Sequence, residues 1–368
     1  MGKTPTENPP IEVEDDYQLG LEADVDDESS NDSPSDASFI ITSYGADYTV
    51  DSLIARVKSE AFYVPKFQRN FVWSQRHASR FIESLLMGLP VPGIFLYKEA
   101  QTNRHLVVDG QQRLRTLQYF YEGVFLEKKF RLVGVRPEWE GKTYDELSSA
   151  EQLKLDDSIV HTTIFQQDEP KDSQKSLYFV FERINSGGIR LSPQEIRNCI
   201  SDSPVLDEIR LLNDDENWRA IFGEKRNARL KDQELVLRAV AMFSRREKYA
   251  SPMRDFLNDF VSGSVETSEL KRLSHLFREA IKICNMTKGK VAFRPIRALN
   301  AAVFEAVMVG IAERIASNPQ AVDISAVDVC YDHLLQNSTF MRACERATAT
   351  DESVKTRQRL AIEAFKGV

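Results

Sequence analysis

Cysteine is scarce in this sequence, and the four cysteines among 368 residues are Cys199, Cys284, Cys330 and Cys344. They have neither the paired spacing of a zinc site nor the density of a secreted disulfide scaffold. No apolar run approaches the roughly 18 residues that a membrane-spanning helix needs, and the N-terminus has no apolar core typical of a secretory signal. We therefore expect a cytoplasmic protein that has no membrane partner.

Several enzyme signatures are also missing. The chain has neither the G-x-x-x-x-G-K-[ST] phosphate loop nor the G-x-G-x-x-G dinucleotide fingerprint. No two of its histidines have zinc-ligand spacing; they are His77, His105, His161, His275 and His333. His333 follows Asp332, but no histidine occurs further downstream to complete a His-Asn-His nuclease. The sequence therefore predicts no nuclease domain of that type.

Acidic charge is concentrated at one end of the chain. Residues 1–38 contain twelve Asp/Glu and one Lys, whereas residues 39–368 contain 47 Lys/Arg and 44 Asp/Glu. A segment so acidic cannot bury enough apolar surface to offset its chain entropy. We predict a disordered acidic tail at 1–38, which either increases solubility or competes with nucleic acid for a basic groove.

Helix and strand signals in the front half are mixed, and order is predicted from about Phe39. A short helix is expected from Thr49 to Arg56, and a longer one, capped by Ser74 and ended by Gly88, at 75–87. The aromatic-rich stretch 62–73 contains Pro65 and predicts a loop or an edge strand. Strands are expected at 94–97 and just before Asp109, and a capping box at Ser148 predicts a helix at 149–156.

The back half reads as helical, since no strand-like alternation returns after about residue 170. A helix is expected at 176–184, and Ser192, Pro193 and Glu195 form a strong helix start. Further helices are predicted at 204–213, 232–245, 252–262, 267–285, 294–316 and 325–336. We predict an α+β protein with an N-terminal domain at 39–200 and an all-helical domain at 201–368.

The joint between the strand that ends at Asp109 and the next helix has the geometry of an anion site. Helix N-termini present unpaired N–H groups and a positive dipole, and Gly110 allows the backbone to approach a phosphate closely. Gln111 and Gln112 offer neutral donors. Arg113 and Arg115 offer fixed positive charge, and Asp109 could hold Mg²⁺ or orient water. The alternative is a purely structural turn.

Three other stretches are candidates to converge on this turn. Gln68 and Arg69 lie among aromatics, where they would cover a ligand; the alternative is a surface loop pinned by Phe67, Phe71 and Trp73. Arg183 and Asn185 end a helix before two glycines, and the alternative there is an ordinary glycine cap. The stretch 195–198, Glu-Ile-Arg-Asn, presents polar groups on a capped helix, or simply forms a solvated helix face.

Three motifs, which occur in order, resemble a known family, the N-terminal domain of GmrSD-type, modification-dependent restriction proteins. They are V-P-x-F-Q-R-x-F-x-W at 64–73, V-V-D-G-Q-Q-R-x-x-T-L at 107–117, and F-x-R-I-N-x-G-G-x-x-L-x-x-x-E-I-R-N at 181–198. The resemblance implies a ParB/sulfiredoxin-like fold that binds and can hydrolyse a nucleoside triphosphate at the Asp-Gly-Gln-Gln-Arg turn. It also implies DNA sensing, with cutting by a separate His-Asn-His domain that is fused at the C-terminus or supplied by another chain. Because no such domain is predicted here, the chain would be either a nucleotide-dependent sensor that needs a partner or a lone member with a different output.

The family's functional residues carry over motif by motif. Asp109 and Arg113 would be catalytic, with Asp109 also positioning Mg²⁺. The nucleotide-binding residues would be Gln68, Arg69, Gly110, Gln111, Gln112, Arg115, Thr116, Arg183 and Asn185.

The leading hypothesis is a nucleotide-binding NTPase subunit of a DNA restriction or phage-defence system. The rival is a ParB-like DNA-binding adaptor that turns over no nucleotide, with phosphate contacts from the basic stretches 225–231 and 245–248. A third and weaker possibility is that the chain nicks DNA itself.

Overall fold

The structure is a computed structural model, and it describes residues 40–64, 71–100, 102–169, 175–184, 192–201, 203–318 and 322–368. These residues fall into two compact units, one that ends at Ser201 and one that comprises residues 203–368. The acidic tail predicted at 1–38 lies outside the described residues, as do Gln68, Arg69 and Asn185. In the described part of the chain, no helix is both long enough and apolar enough to cross a membrane.

A five-stranded mixed sheet forms the centre of the first unit. Its strands, in spatial order, are β1 (Ile40–Thr49), β7 (Ile159–Glu169), β3 (Ile94–Lys98), β4 (His105–Asp109) and β2 (Phe62–Tyr63). The β3 strand pairs parallel to β7 and antiparallel to β4, and β2 pairs parallel to β4 at the edge. A separate hairpin is formed by β5 (Val124–Phe125) and β6 (Lys128–Lys129). The prediction that 62–73 includes an edge strand is confirmed for β2.

Helices cover both faces of this sheet. One face carries α1 (Val50–Lys58), α2 (Gln75–Met87), α3 (Gln111–Glu122) and α4 (Ser149–Asp156); the other carries α5 (Lys175–Ile184) and α6 (Pro193–Ile200). Because successive strand residues point to opposite faces, β4 contributes to two cores. Val107 packs in the core that contains Leu114 of α3, whereas Val108 packs in the core that contains Phe181 of α5.

Local capping chemistry fixes the helix ends that the sequence predicts. The Ser74 side chain accepts from the His77 N–H, and Gly88, with φ of +73°, ends α2. Ser148 and Ser192 each form a capping box with the glutamate three residues later, and Pro193 occupies the first turn of α6. These predicted starts and ends are confirmed.

The second unit is helical throughout its described residues, which confirms the predicted α+β front half followed by a helical part. Its helices are α7 (Pro204–Asn213), α8 (Glu216–Phe222), α9 (Lys231–Arg245), α10 (Met253–Ser262), α11 (Thr267–Lys288), α12 (Ala301–Ser317), α13 (Ile324–Gln336), α14 (Ser338–Glu345) and α15 (Asp351–Phe365). Most of α12 is buried. It approaches α15 so closely that a Cβ at Gly310 would lie 2.7 Å from the Ala361 carbonyl oxygen.

The sequence pattern misses some helices and strands, and it gives one helix the wrong start. It does not predict β1, an edge strand whose residues are mostly exposed and therefore show little apolar alternation. The helix predicted at 294–316 begins only at Ala301, because Asn300 has an extended backbone and its side chain accepts from the Val303 N–H. The pattern also misses α8, α14 and α15. The first two are short, and α15 buries the polar residues Arg357 and Gln358, which interrupt its apolar stripe.

A buried ion pair joins α12 to α15. Arg357 Nη2 donates to Glu305 Oε2 at 2.8 Å, and Gln358 Nε2 donates to Glu305 Oε1 at 2.9 Å. Arg357 Nη1 also donates to the Thr348 carbonyl oxygen. Because Glu305 and Arg357 are almost fully buried, the loss of either partner would leave the other charge uncompensated in a medium of low dielectric constant.

The substitution Arg357→Ala should lower the free energy of unfolding by about 3–5 kcal/mol, since it strands the Glu305 carboxylate. Arg359→Ala is the matched control on the same helix, because Arg359 forms an exposed pair with Glu363, and it should cost less than about 0.5 kcal/mol. Urea unfolding followed by circular dichroism measures both. Equal losses for the two variants would show that the buried pair makes no special contribution.

Candidate functional site

The turn between β4 and α3 has a conformation that only glycine adopts easily. Gly110 has a φ of +97° and occupies the N-cap position of α3. A Cβ at this position would lie 2.8 Å from Ile94 Cγ1 in the neighbouring strand. Glycine is therefore required both by the backbone angle and by the close approach of β3.

The N-terminus of α3 has no side-chain cap from its N-cap residue. Gly110 provides none, and the first helical bond runs from the Leu114 N–H to the Gly110 carbonyl oxygen at 2.9 Å. The preceding N–H groups of the first turn point along the helix axis, out of its positive end. An uncapped helix start next to a glycine is suited to receive an anionic oxygen.

Arg113 is fixed beside this turn. Its Nη2 donates to Asp109 Oδ2 at 2.8 Å and to the Gly93 carbonyl oxygen at 2.8 Å. Its Nε is buried and has no hydrogen-bond partner among the described residues. The guanidinium therefore links the start of β3, the end of β4 and the first turn of α3, while the Asp109 carboxylate offsets part of its charge.

Gln112 ties a second segment to the turn. Its Oε1 accepts from the N–H groups of Val72 at 3.0 Å and Trp73 at 3.2 Å. Phe71 packs edge-on against Tyr119 of α3, and Trp73 packs likewise against Phe81. The segment that follows Gln68 and Arg69 in the chain is thus held against α3.

The other predicted residues of α3 differ in how they are placed. Gln111 is largely buried. Thr116 is fully buried, and its hydroxyl has no partner in the part of the chain that the structure describes. Arg115 is partly exposed, and no hydrogen bond or ion pair of its side chain occurs among the described residues. Of these three side chains, Arg115 is the one available to a ligand in solution.

No described contact joins the Arg183 side chain to the turn. Its guanidinium lies 4.1 Å from the centre of the Phe179 ring, on α5, which covers the face of the sheet opposite α3. The solvated helix face considered for 195–198 is wrong. Glu195, Arg197 and Asn198 are buried, with Arg197 Nη1 donating to Gln194 Oε1 at 3.0 Å.

One residue of the site escapes the sequence analysis. Gly93 supplies the carbonyl oxygen that positions Arg113, and a Cβ there would lie 2.8 Å from the His161 carbonyl oxygen. The sequence contains a weak signal, since Gly93 stands between Pro92 and a strand. Because every residue has a backbone carbonyl, however, the residue type does not reveal which carbonyl will accept the bond from Arg113.

The residues present fit a metal ion only in part. In proteins, Mg²⁺ is commonly held by one or two carboxylates together with substrate phosphates. Asp109 offers one carboxylate, and its Oδ2 is already paired with Arg113. Among the described residues, no group of three or more His, Cys, Asp or Glu is placed to hold a metal. The turn thus suits a cation that arrives with phosphates, rather than one held by the protein alone.

The segment that contains this turn matches a known protein family. Residues 50–201 match the family described as GmrSD restriction endonuclease, N-terminal domain. This segment belongs to that family. The match covers α1 through α6, including the whole β4–α3 turn, and it confirms the resemblance inferred from the three motifs. No curated protein matches the chain.

The GmrSD N-terminal domain indicates a component of a restriction or phage-defence system, and such a system implies interaction with DNA. The match identifies the domain without assigning a role to any of its side chains.

Substitution of Gly110 by alanine should destabilise the protein by about 2–4 kcal/mol, from the positive φ together with the collision with Ile94. Gly123→Ala is the control, because Gly123 has a φ of +70° but a Cβ there would meet no described atom within 4 Å. It should cost about 1 kcal/mol. Thermal and urea unfolding measure the difference, and a Gly110→Ala variant as stable as Gly123→Ala would contradict the close approach of β3.

Proposed function

We propose that this chain is a nucleotide-binding, NTP-hydrolysing sensor subunit of a modification-dependent DNA restriction or phage-defence system. In this proposal a nucleoside triphosphate binds at the β4–α3 turn. DNA is cut by a His-Asn-His nuclease that a partner protein supplies. The observation that carries the proposal is the uncapped start of α3, which lies next to Gly110 and two arginines.

Each residue of the turn has a specific role in this proposal. Phosphate oxygens accept from the first N–H groups of α3, and Gly110 lets them approach the backbone. Arg113, held in place by Gly93 and Asp109, directs fixed positive charge at the transferring phosphoryl group. Arg115 adds a second guanidinium, which no described residue engages.

In this proposal Asp109 has two successive roles, one before and one after nucleotide binding. Before nucleotide binds, its carboxylate offsets the charge of Arg113 at 2.8 Å. When phosphate oxygens compete for that guanidinium, the carboxylate is released to orient the attacking water. Magnesium that arrives with the nucleotide would neutralise phosphate charge, and Asp109 would be its protein ligand.

We also infer a ParB/sulfiredoxin-like fold for the first unit. The mixed sheet, with a functional turn at the end of a central strand and helices on both faces, supports this inference. Fold alone does not assign the chemistry, so the proposal depends on the turn itself.

The rival function, a DNA-binding adaptor without turnover, is not favoured by the basic stretches on which it depended. Arg226 forms hydrogen bonds to both carboxylate oxygens of Asp214, at 2.6 and 2.7 Å. Arg246 lies 3.1 Å from Glu313, and the guanidinium of Arg245 lies 5.1 Å from the centre of the Phe260 ring. Much of the charge of these stretches is therefore used within the helical unit.

Substitutions on α3 test the nucleotide site. Arg115→Ala should weaken nucleotide affinity about fivefold to tenfold without a change in stability, because it removes one charge-assisted contact to phosphate. Arg113→Ala should lower the hydrolysis rate by about 100-fold or more, because a preorganised charge is lost. Calorimetry with ATP, GTP and CTP in the presence of Mg²⁺ measures binding, and phosphate release with and without DNA measures turnover.

Gln118→Ala is the control on the same helix, since Gln118 pairs with Glu122 away from the turn, and it should leave binding and turnover unchanged. Wild-type binding and turnover in Arg113→Ala would rule out the proposed site. Uptake of none of the three nucleotides by the unmodified protein would rule out the proposed function as a whole.

A further inference from the structure

The helical unit contains a long segment without acidic residues. Residues 280–304 include five Lys/Arg and no Asp/Glu, although acidic residues outnumber basic ones in the complete sequence. This segment covers the end of α11, the connection at 289–300 and the start of α12. We refer to residues 289–300 as the basic loop.

The basic loop is held in one shape by its own backbone and by a buried aromatic anchor. Phe293 is fully buried at a φ of +63°, and its N–H donates to the Tyr331 hydroxyl at 2.7 Å. The Asn300 N–H donates to the Phe293 carbonyl oxygen at 2.8 Å, which closes the loop. Bulky residues rarely adopt this backbone region, and such strain is maintained only where the surroundings enforce it.

Although the loop buries Phe293, it exposes two other large apolar side chains. Ile296 is 80% exposed and Val291 is 65% exposed, the two highest values for large hydrophobic residues in the described part of the chain. Met286, in the last turn of α11, is 59% exposed. Three large exposed apolar side chains within eleven residues of the chain make this segment a candidate contact surface.

Cations that no described residue engages flank these apolar groups. Neither Lys290 nor Arg297 has a side-chain hydrogen bond or ion pair among the described residues. Arg294 instead stiffens the loop, because its Nη1 donates to the carbonyl oxygens of Lys290 at 2.7 Å and Ala292 at 3.2 Å. Lys290 and Arg297 thus place two available positive charges next to Val291 and Ile296 along the chain.

Two acidic residues of α13 are paired with a lysine next to the loop. Asp328 and Asp332 of α13 lie 2.7 and 2.6 Å from Lys288 Nζ, at the end of α11. Their charge is largely directed to that lysine. The loop itself contributes only positive charge.

We propose that the basic loop is a contact surface for duplex DNA. Lys290 and Arg297 neutralise backbone phosphates, and Ile296 packs against sugars or between bases as an apolar wedge. Charge complementarity favours DNA over a protein partner, since no acidic residue lies in the segment. The inference rests on the restriction or phage-defence setting proposed above, but not on nucleotide turnover.

Anisotropy of a fluorescent 20-base-pair duplex, titrated with the full chain at several salt concentrations, tests the surface. The double variant Lys290→Ala/Arg297→Ala should bind at least about tenfold more weakly, and its salt slope should fall by about 1.8, since two phosphate contacts are lost. Ile296→Ala should weaken binding without a change in slope. It should also reduce the fluorescence rise of 2-aminopurine that accompanies unstacking of bases.

Lys355→Ala and Leu211→Ala are matched controls, because both side chains are exposed on other helices of the same unit, and both should bind DNA as the unmodified chain does. Wild-type affinity and slope in the double variant would overturn the inference, as would the absence of DNA binding by the unmodified chain. A change of oligomeric state in Ile296→Ala with unchanged DNA binding would identify a protein-contact surface instead, and would also overturn it.

Nucleotide binding by the same variants, measured by calorimetry, separates this inference from the proposed function. Loop variants should retain nucleotide affinity. Loss of DNA binding in the loop variants of a protein that takes up no nucleotide would support the surface while refuting the NTPase proposal.

Discussion

The bonds made by Arg113 hold the candidate site together. One guanidinium nitrogen donates both to the Gly93 carbonyl oxygen, where β3 begins, and to the carboxylate of Asp109, where β4 ends. Since Arg113 belongs to the first turn of α3, these bonds set the position of the helix start relative to two central strands. A cation that is held in this way needs little rearrangement when an anion arrives, which is the physical basis of electrostatic preorganisation.

The same arrangement creates a competition between anions. In the proposed site, a phosphate would compete with Asp109 for the same guanidinium, so singly charged anions would displace the carboxylate less readily than a triphosphate. The helix N-terminus does not distinguish between anions in this way, because its N-cap residue supplies no side chain that an anion would have to displace. If the proposed site binds nucleotide, discrimination among anions would therefore depend on the ion pair, whereas general attraction would depend on the helix dipole.

Sequence patterns were sufficient for much of the first unit, for identifiable reasons. Capping residues such as Ser74, Ser148 and Ser192 bond to groups only three residues away, so the helix starts that they fix can be predicted from the sequence. The Asp-Gly turn before α3 could be predicted in the same way. The hydrogen bond between Arg113 and Gly93 could not be predicted from the sequence, because it joins residues 20 positions apart through a backbone atom.

In the helical unit, the predictions are wrong where polar residues occupy the interior or where a buried aromatic residue anchors a connection between helices. Arg357 and Gln358 of α15 look like surface residues until Glu305 is placed beside them. Phe293 gives no local sign of its bond to the Tyr331 hydroxyl, which anchors the connection before α12. In both cases the deciding interaction comes from a distant part of the chain.

The two-sided burial of β4 has a consequence for how this protein can change in evolution. Neighbouring residues Val107 and Val108 belong to different cores, so the insertion or deletion of one residue within β4 would exchange every side chain between the two faces. Such a shift would also rotate the carboxylate of Asp109 away from α3. We therefore expect insertions and deletions in this domain to be tolerated in the connections and not in β4, the strand that leads into the turn.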